Sequence, residues 1–116
     1  MTNKIQVTAV FSRRSESDKF YQMTREEMAY ITDKYIETGK IISRNSYLAS
    51  DKMSKTVVTH FASQAVLDEF NSDPIQIKVI FDRNKLCKEN NIQISLIKQE
   101  YNDDGIVNSN KRTIEL

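Results

Sequence analysis

Glycine, proline, cysteine and histidine are almost missing from this chain. Its 116 residues include two glycines, one proline, one cysteine, one histidine and no tryptophan. With only Gly39 and Gly105 available, no glycine-rich loop can cradle a phosphate, which disfavours the nucleotide-binding folds built on such loops. The lone Cys87 excludes an intrachain disulfide and suits a reducing, cytoplasmic location. His60 has no cysteine or carboxylate spaced to join it in a metal site, so no metal or other cofactor is expected. Neither sign of charge prevails: 17 Lys and Arg face 16 Asp and Glu, so no global field draws nucleic acid or an anionic membrane. No apolar run approaches the ~20 residues of a membrane span, and Met1 to Gln6 carries no signal-peptide core.

What is present describes one globular domain. The length suits a single core, burying roughly two-thirds of the unfolded surface. An apolar fraction of 39% with 28% charge is globular composition rather than disordered.

Ile5, Val7, Ala9 and Phe11 alternate with polar neighbours, which predicts a half-buried strand. Phe20, Met23, Met28, Ile31 and Tyr35 recur at three to five residues and predict a helix face running to about Thr38. Thr24 and Glu27 fit a capping box, so that helix starts at Thr24, or earlier near Ser15 to Ser17 with a kink. Gly39 can end it in a left-handed conformation. Ile41 to Ser50 and Thr56 to Ala62 read as the two strands of a hairpin. Ser63 caps a short helix carrying Val66, Leu67 and Phe70. Asp73 caps a second, longer one, with Pro74 at its first position, where the missing N–H costs nothing. Ile77, Ile80, Phe81 and Cys87 mark the expected buried face of the longer helix, widened by Ile75, Val79 and Leu86. Ile92 to Glu100 is the last strand of this series, and the residues after Tyr101 are a polar tail, loose or adding an edge strand.

The order strand, helix, strand, strand, broken helix, strand is the split βαβ arrangement. It predicts a ferredoxin-like α+β fold, βαββαβ, with a four-stranded antiparallel sheet and both helices on one face. Residues 1–101 form this domain and 102–116 the C-terminal tail. The segment order, the second helix split at Asp73-Pro74, and the return strand directly after Asn90-Asn91 together resemble the dimeric α+β barrel superfamily. This ferredoxin-like group includes the antibiotic-biosynthesis monooxygenase-like domains, and the likeness covers residues 4–101. It implies a homodimer whose two sheets face each other. Some members oxidise aromatic substrates through an asparagine, an arginine and a tryptophan; this chain lacks the tryptophan. Haem-degrading relatives use a helix histidine, which is absent here too. An RNA-recognition domain shares the strand order, but Val57 to Phe61 offers one stacking aromatic only.

Candidate chemistry is sparse. His60 is the one side chain that titrates near neutrality unperturbed, and it is either a catalytic general base or a half-buried histidine bonded to a neighbour. Arg44, Asn45 and Tyr47 on the second strand are candidate ligand-binding residues or plain surface, with Arg44 on one face and Asn45 and Tyr47 on the other. Arg13-Arg14 is an anion site or a solvated loop. Three functions stay open: a small-molecule binding dimer using the cavity between sheets, a cofactor-independent monooxygenase-like or isomerase-like enzyme, and an interaction module without a ligand.

Overall fold

The computed structural model describes residues 2–116. It is an α+β structure with one antiparallel sheet and three helices. The strands are β1 (Lys4–Ser12), β2 (Ile41–Leu48), β3 (Ser54–Phe61), β4 (Gln93–Asn102) and β5 (Gly105–Ile114), in the spatial order β2-β3-β1-β4-β5. The helices are α1 (Arg25–Ile31), α2 (Gln64–Ser72) and α3 (Pro74–Glu89). The sheet has five strands where the sequence predicts four. Residues 105–114 alternate too weakly to announce a strand, yet they pair with β4 from Ile94↔Ile114 to Asn102↔Gly105. Among the described residues, no helix is long and apolar enough to cross a membrane.

All three helices cover one face of the sheet. The odd-numbered residues of β1 enter both buried clusters. Ile5 packs with Ile31, Tyr35, Ile41, Phe61 and Leu67, while Ala9 and Phe11 pack with Cys87, Ile92 and Ile94. Even-numbered Gln6, Thr8 and Val10 point the other way, with Thr56, Val58 and His60 beside them on β3 and Ile97 and Tyr101 on β4. These side chains are half-exposed, and no layer of the chain covers them.

A bulge decides which side of β2 faces the helices. Ile41 pairs with Phe61 and is fully buried, and the register then slips between Ile41 and Ser43. The extra residue reverses the parity of the remainder of the strand. Arg44, Ser46 and Leu48 therefore share the inner face, opposite Thr59, Val57 and Lys55.

The first helix is shorter than its apolar spacing predicts. Thr24 caps it as expected, with Glu27 N–H donating to Oγ1 at 3.1 Å and Thr24 N–H donating to Glu27 Oε1 at 2.8 Å. Phe20 and Met23 lie before the cap, in an irregular segment over the sheet. Arg13 pins that segment: its guanidinium lies 4.3 Å over the Phe20 ring and donates to the carbonyls of Lys52 and Asp18 at 2.9 and 2.8 Å. Beyond Ile31 the helix widens into a π-helical turn, Thr32–Ile36. Residues five apart lie about 140° apart around a regular α-helix. The wider turn narrows that angle and lets Tyr30, Lys34 and Tyr35 converge.

They converge on Asp73. Its Oδ2 accepts from Tyr30 Oη at 2.6 Å, Tyr35 Oη at 2.7 Å and Lys34 Nζ at 3.0 Å. Its Oδ1 accepts from the Ile75 N–H at 3.0 Å, capping α3. Burial alone would raise the carboxyl pKa, but these bonds outweigh it and hold the pKa well below the ordinary 3.8. The ionised carboxylate therefore stabilises the fold at every pH above about 4, and that contribution fades as the pH falls further. Asp73→Ala is expected to lower the unfolding free energy by about 2–4 kcal/mol at pH 7, with a smaller loss at pH 3. Urea denaturation at the two pH values measures both. A loss under about 0.5 kcal/mol at pH 7, the scale of ordinary surface substitutions, would contradict this role.

Candidate functional site

A cavity of about 390 Å³ lies between the sheet and the helices. Its floor is Val7, Ala9 and Phe11 of β1 with Val57, Thr59 and Phe61 of β3, and its roof is Ile31, Leu67, Phe70 and Val79. Small Ala9, at the centre of the sheet, leaves room where a longer side chain would meet the roof. Phe20, Tyr21, Gln22 and Met23 close one side, and exposed Gln22 and Met28 mark the rim. The volume falls within the roughly 300–1,000 Å³ of small-molecule sites.

Cations and amide groups punctuate the apolar lining. Arg44 enters from β2, Lys55 from β3, and Gln76 and Arg83 from α3; the lining contains no aspartate or glutamate. Burial pushes the guanidinium pKa of Arg44 down. Burial does the same to Lys55 and Arg83, and repulsion from Arg44 lowers both further. The Arg83 guanidinium lies 5.3 Å from the Phe11 ring centre, a cation over an aromatic face. Gln76 is 1% exposed, and its Nε2 has no hydrogen-bond partner. Tyr21 is spoken for: its hydroxyl donates to both Glu27 oxygens at 3.0 and 3.1 Å, and burial followed by Glu27 raises its pKa to about 12.

The sequence-predicted residues separate between the two faces of the sheet. Arg44 reaches the cavity. Asn45 and Tyr47 face away, both exposed. His60 lies on the uncovered face, where its Nδ1 is 2.7 Å from Tyr101 Oη and the two rings meet edge to face. The cavity in this structure is thus on the helix side, and a cavity on the far face would require a second copy of the chain. Among the described residues no three His, Cys, Asp or Glu side chains gather as metal ligands would.

Sequence reasoning missed Lys55, Gln76 and Arg83. The apolar face that periodicity assigns to α3 is right in part: Val79, Ile80 and Cys87 point inward, while Ile77 and Phe81 are 51% and 66% exposed. Gln76 and Arg83 take the inward places beside them. The three- and four-residue spacing from Gln76 to Cys87 was legible, but it places a glutamine and an arginine on a buried stripe. No protein-family model matches the chain, and no curated protein or solved structure matches it at a significant level.

The site sets cationic and amide donors on an apolar surface with no carboxylate among the lining residues. An unpaired buried amide costs about 1–3 kcal/mol in desolvation. Gln76→Leu is therefore expected to leave unfolding free energy unchanged or raise it by about 1 kcal/mol, unlike an ordinary core substitution. Thermal and urea unfolding of the variant provide the check. A loss above about 1 kcal/mol would mean that the amide already has a partner.

Proposed function

We propose that this chain is a small-molecule binding protein that holds an apolar ligand between its sheet and its helices. The observation that carries the reading is the 390 Å³ cavity with its aliphatic and aromatic walls. Walls of this kind offer an apolar ligand many dispersion contacts. No reaction is assigned to the site. Its lining has no histidine or carboxylate, and His60, the sequence-based choice for a base, is on the other face.

The finer fold reading belongs to the same proposal. The order β2-β3-β1-β4 with helices on one face fits a ferredoxin-like unit carrying β5 as an added edge strand. The half-exposed Val10, Val58 and Ile97 on the bare face favour pairing with a second copy, as the resemblance to dimeric α+β barrels implies. Light scattering at micromolar concentration is expected to give about twice the 13.5 kDa chain mass. A clean monomer would count against the pairing and leave the cavity reading untouched.

Nile red, a neutral dye that brightens in apolar surroundings, tests the cavity. Saturable binding at one site per chain is expected for the natural sequence. Ala9→Phe, which fills the floor, is expected to weaken it at least tenfold while the far-ultraviolet circular dichroism stays unchanged. No binding, or equal binding to a folded Ala9→Phe variant, would refute the reading.

A further inference from the structure

Arg44, Lys55 and Arg83 reach one cavity from three different elements. Among the described residues none of them is paired with a carboxylate. Arg44 donates to the Met23 sulfur at 3.4 Å, a weak acceptor, and Arg83 donates to the neutral carbonyl of Asn84 at 3.1 and 3.0 Å. Four acidic groups of the helix layer are engaged elsewhere. Asp73 holds Lys34, Glu69 holds Lys40, and Asp82 holds Lys78. Glu27 is taken up by Tyr21 and Thr24.

Partly buried cations of one sign repel each other, and they lack the counter-charge that makes burial of an ion tolerable. Gln76 adds a fourth donor, buried and without an acceptor. Among the described residues the one buried side-chain N or O atom without a partner is thus a donor, and the three cations beside it lack negative charge. Arginine matches such a group in two-pronged fashion, with geometry that a hydroxyl or an amine cannot supply. The remaining walls are Phe, Val, Ile and Leu side chains that suit a hydrocarbon or aromatic body.

We propose that the cavity selects apolar molecules bearing an oxyanion head group, a carboxylate or a phosphate, which Arg44, Lys55, Arg83 and the Gln76 amide hold together. This rests on the cavity being a binding site. The head group neutralises the cation cluster, and the apolar body fills the space over Ala9.

Displacement of bound Nile red from the full chain tests the charge preference. The competitors share one tail and differ in head: decanoate, decyl phosphate, decanol and decylamine. At least one anion is expected to displace the dye at a concentration tenfold or more below that of decanol, with decylamine weaker than decanol. Whichever anion is stronger identifies the head group, and either supports the inference. Arg83→Met keeps the apolar stem and removes the charge. It is expected to narrow the anion-to-alcohol gap, measured within the variant itself, to about threefold or less. Gln76→Leu is the second variant, expected to weaken the anion several-fold relative to decanol. Decanol matching or surpassing both anions while Nile red binds would overturn the charge inference alone. Absence of Nile red binding, or binding indifferent to Ala9→Phe, would overturn the cavity reading beneath it.

Discussion

The helix layer depends on one carboxylate. Asp73 occupies the only break between α2 and α3, where Pro74 prevents one continuous helix. Its two oxygens take donors from Tyr30, Lys34, Tyr35 and the Ile75 N–H. The first helix, its π-helical continuation and the start of α3 are thereby tied at a single point. Tyr35 carries the tie into the core, meeting Phe70 edge to face at 5.2 Å, and Phe70 meets Phe61 of β3 in the same way at 5.3 Å. The helices are thus fixed to one another and to one end of the sheet. The cavity opens between this tie and the second buried cluster, where Ala9 and Phe11 pack with Cys87.

The two regions treat charge in opposite ways. At Asp73, donors and acceptors balance, and burial strengthens the bonds they make. In the cavity, donors from β2, β3 and α3 face one another with no carboxylate among the lining residues. A sequence with net charge +1 has enough acids to pair nearly every base. The imbalance is local, arising because the nearby acids are spent on caps and on other lysines. Such an arrangement lacks the counter-charge that offsets the cost of taking ions out of water. It makes sense as provision for a partner that brings the missing acceptor.

Much of the architecture was legible because it is written in local signals. Alternation marked β1 and β4, and the caps at Thr24, Ser63 and Asp73 all form as their residue types require. What escaped was set by register and by tertiary contact. The slip at Ile41/Ser43 puts Arg44 inside and leaves Asn45 and Tyr47 outside, and nothing in the composition of β2 announces it. α3 has apolar residues on more than one side, so periodicity added Ile77 and Phe81 to Val79, Ile80 and Cys87, while packing on the sheet selected Gln76 and Arg83 to accompany those three. β5 stood open between a loose tail and an edge strand because its polar residues gain a place in the sheet from backbone pairing with β4 rather than from a buried face. The site was least readable because its cations and its buried amide come from three separate elements, β2, β3 and α3, that only the tertiary fold brings together.

The side-chain amide of Gln76 reports most directly on whether the cavity receives an oxyanion. Its NH2 resonances can be assigned in a nitrogen-correlated NMR spectrum by their loss in Gln76→Leu and then tracked as decanoate is added. The account expects them to move downfield and saturate as the unpaired Nε2 acquires an acceptor, with no such movement on adding decanol. Amide resonances that stay in place while decanoate binds the protein would contradict it.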